Sequence, residues 1–434
     1  MGFFLPSTGL YGHARKSPVA LPEGMQYNGN LPEGGINPPG HPLFRPAKEK
    51  GESMGQLIYL DNAATTPLAP EVWQQMAEVY QRCWGNASSI HGPGREARRA
   101  VDRARRQVAA GLGAQPQEIY FTSGGSESDN WAIKGAALAR KDRGRHLITS
   151  AIEHHAVLHA CQWLESQGFE VTYLPVDSRG RVDPAAVEQA VRPDTILISV
   201  MTANNEIGTI QPIRQIGVLA RERGILFHTD AVQAVGALPL DVSETGADLV
   251  SLSAHKFHGP KGVGALYIRQ GVRLENLIHG GAQERGRRAG TENVAAIVGM
   301  GYAMERAVSL LPESVPRIRD LRDRMIETVL SRIPDARLNG DREERLPGNA
   351  HFTFPDIDGE ALILRLDLMD IACSGGSACT SGTTEPSHVL QALGQPPRLS
   401  RGGLRITVGE QNTRAEIDRA ADAICSLVTE MRGM

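Results

Sequence analysis

The sequence predicts an α/β protein built on a mostly parallel sheet wrapped by helices. Three observations predict it. From Gly55 onward, short apolar runs alternate with helix-length amphipathic stretches, the texture of repeated strand–helix units. Several of those runs lead straight into polar or glycine-rich turns, where ligands sit in doubly wound sheets. The chain has 434 residues, 41% hydrophobic and 22% charged, enough for two to three domains' worth of chain and a sizeable core.

Taken in order, the first 53 residues stand apart. They hold eight prolines and nine glycines, and the tetrapeptide LPEG occurs at Leu21–Gly24 and again at Leu31–Gly34. No apolar period runs through them, so a disordered extension is expected, because such a composition buries too little apolar surface to offset chain entropy. Phe3–Leu5 is too short for a signal-peptide core. Met54 is an alternative start that would make the extension a gene-model artefact.

The strand candidates are Glu118–Thr122, His146–Thr149, Glu170–Leu174, Thr195–Val200, Gly224–His228, Asp248–Leu252 and Gly264–Ile268. Amphipathic stretches such as Arg95–Leu112 and Ile213–Arg223 read as the intervening helices. After about Gly301 comes a long helical stretch. A second cluster of strands and helices follows, at Asn349–Phe354, Gly359–Leu366, Leu404–Thr407 and Arg414–Met431. It reads as a smaller C-terminal domain.

Charge and cysteine content narrow the class. The 46 basic and 49 acidic residues leave a formal charge of −3, so no nucleic-acid or anionic-membrane partner is expected. No uninterrupted apolar run approaches the roughly 18 residues of a membrane span. Five cysteines make no disulfide framework and leave at least one thiol free, which fits a reducing cytoplasm.

Three turns after strands carry the chemistry. Thr122-Ser123-Gly124-Gly125-Ser126-Glu127-Ser128 opens a helix, and small residues at a helix N-terminus form an anion cup. The same residues also suit a plain capped turn. Asp230 ends the strand ILFH-Thr229-Asp230, where a buried carboxylate needs a cationic partner, such as a ring nitrogen, or else caps the next helix. Lys256 lies between His255 and His258 in a polar, glycine-rich segment. There it is either a solvated loop lysine or one desolvated for Schiff-base chemistry. Jointly they ask for a phosphate, a protonated ring nitrogen and an aldehyde, which are the groups of pyridoxal 5'-phosphate.

A fourth feature is the small-residue run Cys373–Thr383, expected to be a flexible loop. Cys379 lies in its middle and is the better candidate for an exposed nucleophile; Cys373 follows a strand-like run and is expected to be buried. A metal pair is disfavoured because no second ligand pair lies nearby. His155 and His159 are four residues apart and read as helix-start residues, while His154 is placed to stack on a ring. Cys83, Cys161 and Cys425 read as packing residues, and Arg285–Arg288 as a turn.

From Ile58 to about Met431 the chain resembles the NifS/IscS class of cysteine desulfurases, which are fold-type I, class-V aminotransferase-like pyridoxal phosphate enzymes. The segments that carry the resemblance are Tyr59–Thr66, Gly85–Ser89, Phe121–Asn130, Glu153-His154, Ala203–Gly208, His228–Gln233, Ser253–Gly262, Glu284–Asn293 and Ser377–Leu393, in family order. The resemblance implies a large domain over residues 67–312 with a mostly parallel seven-stranded sheet. Residues 54–66 with 313–434 would then form a small α+β domain.

The resemblance also implies roles. Lys256 would be the Schiff-base lysine and proton shuttle, Asp230 the partner of the pyridinium, Gln233 that of the ring hydroxyl, and His154 the stacking residue. Gly125, Ser126, Ser253 and His255 would bind the phosphate, and Thr291 would reach across from a second subunit of a homodimer. Asn205 and Arg405 would hold the substrate, with Arg405 as a fork on its carboxylate. Cys379 would take sulfur from L-cysteine through a cofactor aldimine, leaving L-alanine, and would pass the persulfide to an acceptor such as an iron–sulfur scaffold protein. It would also be placed to ligate a cluster transiently.

Departures from the family pattern are Ser126, where threonine is usual, and Arg401-Gly402-Gly403-Leu404, where relatives commonly carry a histidine and a hydroxyl residue. Longer relatives have a scaffold-contacting tail beyond the point where this chain ends, so docking to a scaffold is less firmly implied than the activity. Competing readings are a selenocysteine lyase or other β-elimination enzyme on the same scaffold, and a non-catalytic docking protein. The latter would be expected to lack Lys256, Asp230 or Cys379, and all three are present.

Overall fold

A computed structural model describes residues 57–376 and 387–433. The N-terminal extension and the segment with Cys379 lie outside the described residues. Twelve strands are described: β1 Ile58–Tyr59, β2 Ile119–Thr122, β3 His146–Ser150, β4 Glu170–Leu174, β5 Thr195–Ser199, β6 Leu226–Asp230, β7 Leu249–Ser253, β8 Gly264–Ile268, β9 Arg337–Asn339, β10 Asn349–Thr353, β11 Ile371–Ala372 and β12 Gly403–Thr407. Four helices matter below: α1 Pro70–Arg82, α2 Gly92–Gly111, α3 Gly125–Arg140 and α4 His155–Ser166.

The seven strands expected from the apolar runs form one sheet in the order β2-β8-β7-β6-β5-β3-β4. From β4 through β3, β5 and β6 to β7 the pairing is parallel, and β8 is antiparallel to both β7 and β2. Two antiparallel steps restore the direction, so β2 ends on the same edge as β7. That edge therefore collects the turns after β2, β3, β5, β6 and β7. The central strands β5, β6 and β7 are buried along their whole length, which is why they read as nearly continuous apolar runs.

Two elements differ from the sequence expectation by two residues or more. Strand β6 begins two residues later, because Gly224, at φ 67°, and Ile225 close the helix Ile213–Glu222, with Ile225 N–H donating to Ala220 O at 2.9 Å. It then runs on to Asp230, so that carboxylate is the last residue of a buried strand. Helix α2 starts earlier, at Gly92-Pro93, where proline's missing N–H costs nothing, and His91 caps it through Nδ1.

A second apolar cluster joins Ile58 and Leu60 to residues between Ile318 and Val428. Here β10 is antiparallel to both β9 and β12, and β1 pairs in parallel with β11. Thr407 N–H donates to Leu60 O at 2.7 Å, tying the segment after β1 to β12. The helix Val294–Arg332 is long and apolar enough to cross a membrane by length and composition alone. Its Met300 and Met304 lie in the first core, however, and its Leu321 and Met325 in the second. It is a core helix.

Candidate active site

The carboxyl edge of the large sheet forms one wall of a cavity of about 330 Å³. Lys256 sits on the 3₁₀ turn Ala254–Lys256 directly after β7. Its Nζ donates to Ala63 O at 2.5 Å and Ala64 O at 2.9 Å. Gln233 Nε2 donates to the same Ala63 carbonyl at 3.0 Å. Tyr59 Oη holds that turn by donating to Thr65 O at 2.8 Å, and Thr66 is bonded through both N–H and Oγ1 to His255 O. The segment after β1 thus spans from the second apolar cluster to the lysine.

Asp230 faces the same cavity, with Oδ1 accepting from Val232 N–H at 2.9 Å. Burial pushes its carboxyl up to about 6, against the opposing pull of that N–H and of Lys256. His154 is the N-cap of α4, its Nδ1 accepting from Ala156 N–H at 3.1 Å. Burial, and then the Lys256 charge, push it down to about 4, so its imidazole is neutral at pH 7.

Beside this cavity lies a cup of about 400 Å³ lined by Thr65, Ser123, Gly124, Gly125, Ser126, Glu127, Ser253, His255, Lys261 and Gly262. The first turn of α3 opens onto it with free backbone N–H groups and an exposed Ser126. A Cβ on Gly125 would lie 2.8 Å from Val232 Cγ2, so only glycine lets the turn sit this close to β6. Glu127 is neutralised by Arg288, at 2.8 Å, and its Oε2 accepts from Ser123 N–H. His255 bonds Thr65 Oγ1 at 3.1 Å and is pushed down to about 4 by burial first and nearby lysines second.

The opposite wall comes from residues distant in sequence. Arg405 on β12 is 1% exposed. Its Nη2 donates to Asp61 at 2.8 Å, and its Nη1 to Asn205 O at 3.0 Å and Gly376 O at 3.2 Å. Its Nε finds no protein partner among the described residues. A buried guanidinium with a donor to spare is chemically suited to a carboxylate. Glu206, next to Asn205, is also buried and pushed up to about 7. Ser387 Oγ donates to it at 2.8 Å.

The sequence-predicted residues Gly125, Ser126, His154, Asn205, Asp230, Gln233, Ser253, His255, Lys256 and Arg405 all line the main cavity. Thr291 is exposed and lines neither the cavity nor the cup of its own chain. Cys379 lies outside the described residues. Cys373 is half-buried, and burial pushes its thiol up to about 12, the state of a poor nucleophile. Cys161 and Cys425 are buried, while Cys83 is half-buried at the end of α1. Arg285 and Arg287 lie over the Tyr120 ring, so the basic turn is occupied structurally.

Sequence reasoning gave no role to Asp61, Glu206, Asp129 or Lys261. Only Lys261, a cation in a glycine-rich turn, carried a local signal. The residues fit pyridoxal phosphate: an amine, a buried carboxylate opposite it, a flat neutral imidazole, and an adjoining cup of N–H groups and hydroxyls.

Most of the described region matches known proteins. Residues 58–420 match the class-V aminotransferase family. The chain belongs to that family, whose members use pyridoxal phosphate, and pyridoxal phosphate is its cofactor. It is 53% identical over 386 residues to the cysteine desulfurase IscS of Methanosarcina thermophila, covering 89% of this chain and 95% of the relative. A solved NifS-like protein superposes with a TM-score of 0.82 at 40% identity, covering 86% of this chain and all of the other. The structure of SspA in complex with cysteine matches with a TM-score of 0.72, again at 40% identity, over 81% of this chain and 98% of the other.

Proposed function

We propose that this chain is a cysteine desulfurase that moves the sulfur of L-cysteine onto Cys379 and releases L-alanine. The observation that carries the reading is the convergence of Lys256, Asp230, His154 and Arg405 on one cavity. Relatives at about 50% identity over most of the chain carry the cysteine desulfurase name.

Bound in the cavity, pyridoxal phosphate supplies a carbonyl for amines and a ring that accepts the electron pair left at the substrate α-carbon. The chain does the rest. Arg405 orients the substrate carboxylate through its spare donor, with its other nitrogens fixed by Asp61, Asn205 and Gly376. Lys256 Nζ takes the α-proton, and the Ala63 and Ala64 carbonyls hold the resulting ammonium. Asp230 supplies the negative charge for the ring nitrogen, and His154 presents a neutral face to the ring.

Cys379 Sγ, as thiolate, then attacks the substrate Sγ. The S–S bond forms, the Cβ–Sγ bond breaks, and its electron pair ends as a C–H bond in alanine after protonation. Gly376, whose carbonyl accepts from Arg405, precedes Cys379 by three residues.

We further infer a homodimer in which Thr291 completes the partner's phosphate cup, consistent with its exposure and its absence from its own. The persulfide goes to an acceptor protein, for iron–sulfur clusters or other sulfur-containing products, in the cytoplasm. The test is product analysis with L-cysteine and a reductant. Equal yields of alanine and sulfide, with both lost in Cys379→Ser while the cofactor stays bound, support the reading. Pyruvate and ammonia in place of alanine would mean β-elimination instead.

A further inference from the structure

Beside Asp230, and lining the same cavity, lies a second carboxyl that the mechanism above does not use. Asp129, on the buried face of α3, is 1% exposed. One ligand atom each from Asp129, His154 and Asp230 lies within 4.8 Å of the others. Two carboxylates this close and this buried cannot both ionise without a cation between them. Lys256 acts on Asp230, and Val232 N–H bonds it, so the negative charge settles on Asp230.

The hydrogen bonds around Asp129 also imply where its proton lies. Ser199 Oγ is 2.8 Å from His228 Nδ1, and His228 Nε2 is 3.0 Å from Ser251 Oγ. Ser251 in turn bonds Asp129. Each link carries one proton. If Ser199 donates to Nδ1, then Nε2–H donates to Ser251, and Ser251 donates to Asp129. Burial keeps His228 neutral, so one of its nitrogens accepts and the other donates, as this direction has it. The chain ends on one Asp129 oxygen. The other, Oδ1, has no hydrogen-bond partner among the described residues and stands 3.6 Å from His228 Nε2, beyond a good bond. A buried carboxyl with one oxygen bonded and one left over is best satisfied by carrying a proton and donating it.

We propose that Asp129 is a positioning residue, a neutral carboxyl that donates its hydrogen bond to Asp230 and keeps Asp230 oriented as the anion for the ring nitrogen. The inference rests on pyridoxal phosphate occupying this cavity. The charged and titratable groups facing Asp129 are Asp230 and His228 from β6, and Glu153 and His154 from the turn before α4. Asp230 and Glu153 favour the neutral acid by like charge, His228 and His154 offer no countercharge, and the Ser251 hydrogen bond alone pulls the other way. Burial raises the Asp129 carboxyl well above its ordinary range.

The test compares Asp129→Asn, which keeps a neutral donor of the same shape, with Asp129→Ala, which removes it. Infrared difference spectra of the purified protein should show a protonated-carboxyl stretch at pH 7 that disappears in Asp129→Asn. Titration of the cofactor-free protein with pyridoxal phosphate should give near-native affinity for Asp129→Asn and about tenfold weaker binding for Asp129→Ala. The pH midpoint of the bound cofactor's visible band should move in Asp129→Ala and be restored in Asp129→Asn. If Asp129→Asn loses affinity as badly as Asp129→Ala, Asp129 is an anion and the proposal is overturned. If neither variant moves affinity or midpoint and only thermal stability falls, the role is packing, and the proposal is again overturned. A wild-type protein that binds no pyridoxal phosphate would overturn the cofactor reading itself, and the proposal with it.

Discussion

The two walls of the cavity manage charge in opposite ways. On the sheet wall, burial works against charge: His154 is held near 4 and is neutral at pH 7, and Asp230, though still the anion, is raised to about 6. On the opposite wall, Arg405 is 1% exposed, and its guanidinium is met by Asp61 and two backbone carbonyls. The difference matches the tasks. On the proposed reading the sheet wall serves a ring and an amine that exchange protons, which favours a neutral ring face and a carboxyl near its titration point. The opposite wall would hold a substrate carboxylate, which favours a well-oriented guanidinium.

The largest expected effect comes from the sheet wall. Lys256→Ala should lower alanine formation by about 10²–10⁴-fold or more, because among the described residues it is the only lysine lining the cavity. Cofactor should still bind through the cup and Asp230, separating chemistry from binding in an absorbance titration. On the opposite wall, Arg405→Lys keeps the charge but loses the spare Nε–H and the planar geometry fixed by Asp61, Asn205 and Gly376. We expect KM for L-cysteine to rise by about 30-fold or more with a smaller change in kcat, by analogy with truncated buried charge pairs worth about 2–5 kcal/mol. If KM stays put while kcat collapses, the wall is not a substrate receptor. Asp61→Asn keeps the hydrogen bond and loses the charge assistance. It should raise KM by about tenfold, in the same direction as Arg405→Lys.

The smallest effect is on stability against pH. Glu206 is raised to about 7 and Glu153 to about 8, so the folded chain keeps protons that the unfolded chain has lost. Their contribution is full below the ordinary carboxylate range and is lost as pH rises through about 7 to 8. Buried histidines run the other way: His154 and His255, near 4, and His228, near 3, are lowered, so stability is lost as pH falls below 6.5 toward those values. Glu206→Gln should flatten the alkaline limb between about pH 5 and 8, by at most about 1.4 kcal/mol per pH unit. The urea midpoint at several pH values reads this directly. An unchanged slope would mean that Glu206 is ionised throughout.

The same contrast explains what could be read from the chain beforehand. The sheet wall was legible because each residue follows its own strand: Ser126 after β2, Asp230 at the end of β6, Lys256 after β7. Burial on both faces makes the strands continuous apolar runs, so position along the strand locates the edge. The opposite wall was not legible locally. Asp61 and Arg405 lie 344 positions apart, and nothing near either announces the other. Only resemblance to a family pointed to Arg405. Asp129 was missed for a third reason. It lies inside a helix whose first turn already explained itself as an anion cup, and its partners are on β6 and β7.

The most direct measurement is mass analysis of the Cys379 peptide after brief exposure of the cofactor-loaded enzyme to L-cysteine without reductant. The account predicts one added sulfur atom on Cys379, in step with alanine released, and neither in Cys379→Ser. Alanine formed at the wild-type rate by Cys379→Ser, with no sulfur carried on the enzyme, would contradict it.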